Sequence, residues 1–332
     1  MQKVRWGVLG VARIATNRVI PAMRRGEFCE LVGIASRDRA RAQEAARAQA
    51  IPKAYGSYEE LLADPEIEAV YNPLPNHLHV PMSIRAAEAG KHVLCEKPIG
   101  MNAAEARRLI SARDRTGVII GEAFMVRTHP QWLRTVELVR AGRIGPLRFA
   151  MGSFGVTLPQ DNIRNVPEYG GGGLMDLGCY PITTSRMVFG EEPIRVSGAI
   201  VRDPRFGVDM LASAILDYPS GHCVMTSCTQ VVHHQSMQFF GTTGRIELEI
   251  PYNVRSPGTS RIRIDDGRDL FGSGIAVEEF PSCDQYSIEC DLFSRAIREH
   301  GPPPVPLEDS VRNMAVIDAV FRSAESGRWE TP

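Results

Sequence analysis

The chain has 332 residues, room for two domains with sizeable cores, and its 38 Lys and Arg nearly balance 39 Asp and Glu for a formal net charge of -1. Without a basic surplus, neither nucleic acid nor an anionic membrane surface is expected as a partner. The apolar runs fall far short of a bilayer span and the first residues show no signal-peptide pattern, so a cytoplasmic protein is expected.

The seven cysteines are scattered and include no C-x-x-C pair, which fits reduced thiols and argues against a disulfide framework or zinc site; no metal is expected. Val4 to Leu9 forms the first candidate strand, followed by Gly10-Val11-Ala12-Arg13-Ile14-Ala15. That order matches G-x-G-x-x-G/A with alanine at the second small position, the turn that opens a nucleotide-binding βαβ unit. A helix ending near Arg25 follows, and Cys29 to Ala35 is the second strand.

Ser36-Arg37-Asp38 stands where the adenine ribose is read. An acid at the strand end would select NAD, whereas Ser36 and Arg37 suit the 2′-phosphate of NADP. NADP(H) is the preferred cofactor, and the nearby Asp38 keeps NAD(H) open. Helices are expected from about Asp38 to Ala50, Tyr58 to Ala63, Pro81 to Ala89 and Asn102 to Thr116. Strands are expected at Ala69 to Pro73, around Val93 and at Val118 to Ala123. This alternation is that of a doubly wound parallel sheet.

Within it, Val93-Leu94-Cys95 ends abruptly in Glu96-Lys97-Pro98. Proline cannot continue a ladder, so the charged pair sits at the strand's carboxyl end, where open α/β sheets bind ligands. Pro73-Leu74-Pro75-Asn76-His77-Leu78-His79 is a rigid polar loop at the same edge.

In the second half, Pro130 to Gly142 reads as a helix and Leu147 to Phe154 as a strand. Four glycines, 170 to 173, then abut Leu174-Met175-Asp176-Leu177-Gly178-Cys179-Tyr180. They could be a flexible linker. Alternatively they lead a helix that sets Asp176 and Tyr180 four apart on one face, where a surface hydrogen bond is the plainer role for the pair. Further β runs lie near 194–201, 211–218, 222–232, 235–241, 245–250, 261–265 and 275–280, and the chain closes with helices at Asp284 to His300 and Glu308 to Ser326. The β runs fit one large sheet whose outer face needs covering, most simply by a second subunit as a homodimer or homotetramer.

The glycine fingerprint, Ser36-Arg37, the Pro73 to His79 loop and Gly90-Lys91-His92-Val93-Leu94-Cys95-Glu96-Lys97-Pro98 together resemble the Gfo/Idh/MocA oxidoreductase family. The resemblance implies an α/β protein with an N-terminal Rossmann domain over 1–124. A C-terminal α+β substrate and oligomerisation domain over 125–332 would carry a large open, mainly antiparallel sheet, with the last helix packing back on the first domain. It further implies a cis Lys97–Pro98 peptide and cofactor contacts from Gly10, Ala12, Arg13, Ile14, Ser36, Arg37, Pro73, Leu74, Asn76, His79, Glu96 and Lys97. Arg127, Asn162 and Arg164 are candidates for the substrate rim, each with a structural salt bridge as its plainer role.

In this family an Asp, then a His or Tyr, meets the substrate where Asp176 and Tyr180 stand here. The wording G-G-G-x-L-x-D-x-G-x-Y is most similar to the branch holding dihydrodiol dehydrogenase, NADP-dependent D-xylose dehydrogenase and glucose–fructose oxidoreductase. Histidine is usual in the inositol and 1,5-anhydrofructose branches.

The implied reaction is hydride transfer between NADP(H) and a hydroxyl or carbonyl of a sugar or cyclic polyol, on a CH–OH group. An unperturbed tyrosine titrates near ~10, and a close ammonium favours the phenolate. Tyr180 is therefore read as proton acceptor and Lys97 as the cation that lowers its pKa and polarises the oxygen, with Asp176 holding a neighbouring hydroxyl. The alternative within the same chemistry is a keto-sugar reductase or a trans-dihydrodiol dehydrogenase working through the same residues, and a non-catalytic NADP-binding sensor is the alternative of another class.

Overall fold

The computed structural model describes residues 2–332. They divide into two compact units, residues up to Met125 with Asp284–Val311, and Val126–Cys283 with Arg312–Pro332.

The first unit is built on six parallel strands in the order β3-β2-β1-β4-β5-β6. They are β1 (Val4–Leu9), β2 (Cys29–Ala35), β3 (Lys53–Tyr55), β4 (Ala69–Asn72), β5 (His92–Glu96) and β6 (Ile120–Ala123). The central strands are buried along almost their whole length, which is why they read as continuous apolar runs. β3 is an edge strand of three half-buried residues, too short to show a period, and the sequence gives no sign of it.

Helices α1 (Ile20–Arg25), α2 (Arg39–Ala48), α3 (Tyr58–Ala63), α4 (His79–Glu88) and α5 (Ala103–Thr116) join the strands. The side chains of Asp38, Ser57 and Asn102 start α2, α3 and α5 by accepting from backbone N–H groups of the first turn.

The helix Gln285–Glu299 also belongs to this unit, whereas the sequence reading carries the first domain only to residue 124. Its Cys290, Phe293 and Ile297 are buried in the core that contains Trp6. Phe293 lies 5.7 Å from the Trp6 ring, and the indole N–H donates to Ser294 at 3.1 Å. The Leu307–Ser326 helix begins in the first unit and continues in the second.

The second unit is an eight-stranded sheet ordered β14-β13-β12-β11-β7-β10-β9-β8. Its members are β7 (Leu147–Thr157), β8 (Arg195–Arg202), β9 (Asp209–Tyr218), β10 (Gly221–Cys228), β11 (Gln230–Gly241), β12 (Arg245–Leu248), β13 (Ser260–Asp265) and β14 (Ile275–Phe280). Only β7 and β10 run parallel. The run expected at 222–232 is split, because the Thr229 N–H turns to the Met210 carbonyl and β11 starts at Gln230.

Helices α6 (Pro130–Arg140) and α7 (Cys179–Phe189) lie on this sheet, and Trp132, Phe239 and Tyr252 pack together beneath them. Glu330 exchanges two backbone hydrogen bonds with Val196 and so covers part of the β8 edge. Among the described residues no helix is long and apolar enough to cross a membrane.

Candidate active site

The glycine turn follows β1 directly. Gly10 has φ +93°, and a Cβ there would stand 2.8 Å from the Leu74 side chain, so both conformation and space demand glycine. Its N–H donates to the Ala35 carbonyl, tying the turn to the end of β2. The chain turns helical at Arg13, and Thr16 donates back to the Ala12 carbonyl. The N–H groups ahead of Thr16 therefore have no acceptor within the helix, the arrangement that receives a pyrophosphate. Gly10, Ala12, Arg13, Ile14 and Leu74 thus share one edge of the sheet, and Leu74 packs directly against the turn.

At the end of β2, Ser36 is buried and its hydroxyl accepts from the Asp38 N–H at 3.2 Å, while Arg37 is exposed. Asp38 caps α2, with one carboxylate oxygen accepting from both Ala40 and Arg41 N–H. That oxygen is thereby drawn toward the helix. One helical turn on, Arg41 donates to the Val11 carbonyl at 3.2 Å. Burial raises the Tyr58 pKa, and the positive charges of Arg37 and Arg41 both oppose it; the Tyr58 hydroxyl itself stands beside the glycine turn. The sequence reading passed over Arg41; its spacing of four from Arg37 was the available signal.

At the end of β5 the Lys97–Pro98 peptide is cis, as the resemblance implies. Tyr71 donates its hydroxyl to Glu96 at 2.5 Å, and the Lys97 N–H lies 3.3 Å from the other Glu96 oxygen. Glu96 so fixes the backbone from which Lys97 projects, and Lys97 itself is half-buried.

His79 is buried, its ring nitrogens 2.7 Å from the Pro98 carbonyl and 2.6 Å from the Leu74 carbonyl. Burial draws its pKa down to about 4 against the pull of those carbonyls. Both ring nitrogens lie against backbone carbonyls and the neutral ring donates to one of them, so His79 is a strut between the Leu74 loop and the Lys97–Pro98 turn. Pro73 is buried and Asn76 half-buried in the same loop.

Behind this edge lies a carboxyl group that sequence reasoning missed. Burial pushes Glu289 well above the usual range, Glu96 and Glu122 push it the same way, and the Phe124 N–H pulls back. The fold therefore favours its neutral form.

In the second unit Asp176 and Tyr180 do not follow an α-helical i, i+4 register. Leu174–Gly178 is a π-turn, with the Cys179 N–H reaching the Leu174 carbonyl five residues back, and α7 begins only at Cys179. Pro181 explains the widening: in an α-helix its ring would clash with the Leu177 carbonyl and offer it no N–H. The helix after Gly10 repeats the device, with a π-turn at Ala15–Val19 ahead of Pro21.

The four glycines are a packed turn. A Cβ on Gly171 would lie 2.3 Å from the Arg164 carbonyl, and one on Gly172 (φ +115°) 1.9 Å from the Asp209 carboxylate.

Asp176 is half-buried, and the Arg164 guanidinium pairs with it at 2.5 Å. Asn162 caps the short 3-10 turn carrying Arg164 by accepting from its N–H at 3.0 Å. Arg127 stands in a separate 3-10 turn, Met125–Thr128, and is half-buried. Tyr180 is 4 % exposed, edge-on to Phe154 at 5.4 Å and tilted against Tyr252 at 5.3 Å. Both rings pack against the phenol ring.

Residues 4–124 match the model of an oxidoreductase family with an NAD-binding Rossmann fold, and residues 132–247 match the GFO/IDH/MocA C-terminal domain. Over the whole of both chains the protein is 48 % identical to an uncharacterized oxidoreductase of Rhizobium meliloti. It is 39 % identical to a D-xylose 1-dehydrogenase (NADP(+)) of Haloferax volcanii, over 97 % of this chain and 98 % of that one. The structure of an aldose–aldose oxidoreductase from Caulobacter crescentus, complexed with glycerol, superposes with a TM-score of 0.91 at 28 % identity, over 99 % of this chain and all of that one. A parallel nucleotide-binding sheet ending in Gly10 and Glu96-Lys97-Pro98, followed by a unit that carries Asp176 and Tyr180 on a π-turn and helix beside a mainly antiparallel sheet, is here joined to full-length similarity, and the chain belongs to the Gfo/Idh/MocA oxidoreductase family.

Proposed function

We propose that the protein is an NADP-dependent dehydrogenase of aldoses or related cyclic polyols, acting on a CH–OH group. The observation that carries this reading is Lys97, fixed by Glu96 and the His79 strut at the carboxyl end of the sheet whose first turn is Gly10. The similarity to a D-xylose dehydrogenase and an aldose–aldose oxidoreductase supports the substrate class. The turn from Gly10 to Ile14 holds the pyrophosphate, and Ser36, Arg37 and Arg41 take the 2′-phosphate. When bound, the nicotinamide supplies the hydride acceptor. Lys97 polarises the reacting oxygen, Tyr180 takes its proton, and Asp176, oriented by Arg164, accepts from a neighbouring hydroxyl.

A panel of pentoses, hexoses and diols at alkaline pH, followed by NADPH absorbance, tests this reading. NADPH formation with at least one free aldose or polyol is expected. NADPH binding without turnover of any of them would point to a sensor, and turnover confined to nucleotide-linked sugars would point to a keto-sugar reductase.

A second copy of the chain is assigned to the outer face of the large sheet. Met151, Val224 and Ile215 lie in register on β7, β10 and β9, all exposed, and the exposed Phe149 stacks on Phe240 at 4.2 Å. Such a row is larger than scattered surface apolarity. Light scattering is expected to give a dimer or tetramer, and Met151→Asp with Val224→Asp to give monomers; a monomeric wild type would refute the assignment. A cytoplasmic location suits the seven cysteines, all of which are free thiols.

A further inference from the structure

Asp209, the first residue of β9, is 2 % exposed and lies directly beneath the glycine turn. The Leu174 N–H donates to its Oδ2 at 2.5 Å. The missing side chain of Gly172 leaves the space its Oδ1 fills, since a Cβ there would sit 1.9 Å away, and a Cβ on Gly173 would be 3.5 Å from Oδ2. Among the described residues no Lys, Arg or His forms an ion pair with it. A buried carboxylate without a cation costs stability unless backbone donors compensate it. Here the compensating donors are the N–H groups of Leu174 and Gly173 at the start of the π-turn, together with the N–H of Asp209 itself. The glycines and the acid are therefore one device: two positions without side chains, Gly172 and Gly173, let a carboxylate from a strand 35 residues away grip the turn that carries Asp176.

We propose that Asp209 is a positioning residue for catalysis, its ionised carboxylate holding the glycine-led π-turn so that Asp176 and Tyr180 stand in working order. This rests on the reading of Asp176 and Tyr180 as catalytic residues. Burial lifts the Asp209 pKa to about 6, against the pull of the Leu174 and Gly173 N–H groups and of Arg202 on β8. The nearest other charged or titratable groups along the elements around it are Asp203 and Arg205 in the β8–β9 turn, Asp176 on the π-turn and Cys228 at the end of β10, while Arg195 on β8, Asp217 on β9 and His222 on β10 stand toward the far ends of their strands.

A folded pKa above the ordinary carboxylate value of 3.8 means that this group stabilises the fold most below 3.8, and that the contribution is lost as pH rises through about 6. Acidification through pH 6 therefore releases the grip without a stability loss from this group. A protonated carboxyl is a weaker acceptor, and its new O–H faces donors.

The test compares wild type, Asp209→Asn and Tyr180→Phe, assayed from pH 5 to 8.5 alongside thermal melts. Wild-type kcat is expected to fall on an acid limb with an apparent pKa of about 6 while the protein stays folded. Asp209→Asn is expected to lower kcat at pH 8 by roughly 10–100-fold, as small misplacements of catalytic groups do, to remove the acid limb, and to leave the KM for NADP+ unchanged.

Wild-type kcat with the same limb in Asp209→Asn, together with an inactive Tyr180→Phe, would overturn the positioning role alone. An active Tyr180→Phe would overturn the catalytic reading beneath it. If Asp209→Asn does not fold, the wild-type profile decides, and a flat kcat from pH 5 to 7 in folded protein refutes the proposal.

Discussion

Lys97→Met is expected to lower kcat/KM by about 10²–10⁴-fold, the range over which positioned proton-transfer groups contribute, while NADPH still binds. The substitution keeps the length of the side chain and removes its charge. Glu96 holds the backbone of this turn through its own contacts to Tyr71 and the Lys97 N–H, so the strand end should survive the change. Tyr180→Phe removes one oxygen from a ring that Phe154 and Tyr252 hold by its faces and edges, and the same range of loss is expected. If the two residues serve one proton transfer, their losses do not add, and the double variant should be little worse than the poorer single one. Steady-state kinetics on the best sugar, with NADPH fluorescence titrations of each variant, check all three. Wild-type turnover in both single variants would remove the assignment, and full additivity would separate the two roles.

The parts of this architecture set by burial and backbone conformation were legible in the sequence. β1 and β2 are buried along most of their length and so appear as largely apolar runs, interrupted only near their starts by the half-buried Arg5 and the exposed Glu30. Gly10 stands where a positive φ admits little else, and Glu96-Lys97-Pro98 combines charge with a strand breaker. The features that escaped are tertiary or irregular. Lys53–Tyr55 is a short half-buried edge. The π-turn was invisible because Asp176 and Tyr180 are four apart, an interval that an α-helix explains equally well; Pro181, seven residues after Leu174, was the mark of the irregularity. Asp209 and Glu289 acquire their roles only when β9 meets the glycine turn and the Gln285–Glu299 helix closes over the first unit's sheet. No local pattern announces a carboxylate whose donors come from another segment. His79 stands in the cofactor-edge loop, and only the fold shows that its ring is also part of the frame, buried between two backbone carbonyls.

Arg37→Ala is expected to raise the KM for NADP+ by ~10–150-fold, the equivalent of losing about 1.5–3 kcal/mol of charge-assisted hydrogen bonding, with little change for NAD+. The selectivity follows from where each group is committed. Asp38 spends a carboxylate oxygen on the α2 N-cap, and the Ser36 hydroxyl accepts from the Asp38 N–H with its own O–H left to donate, so the exposed Arg37 supplies the positive charge at the end of β2. Arg41 differs, because its guanidinium also holds the Val11 carbonyl of the glycine turn. Arg41→Ala should therefore weaken NADP+ and NAD+ together, through the turn that both cofactors share, in addition to any loss at the 2′-phosphate. Measuring KM for both cofactors in both variants separates the two effects. An Arg37→Ala enzyme that handles NADP+ as the wild type does would move the phosphate contact elsewhere. Equal losses for NADP+ and NAD+ in that variant would mean that Arg37 supports the adenine half as a whole and does not read its phosphate.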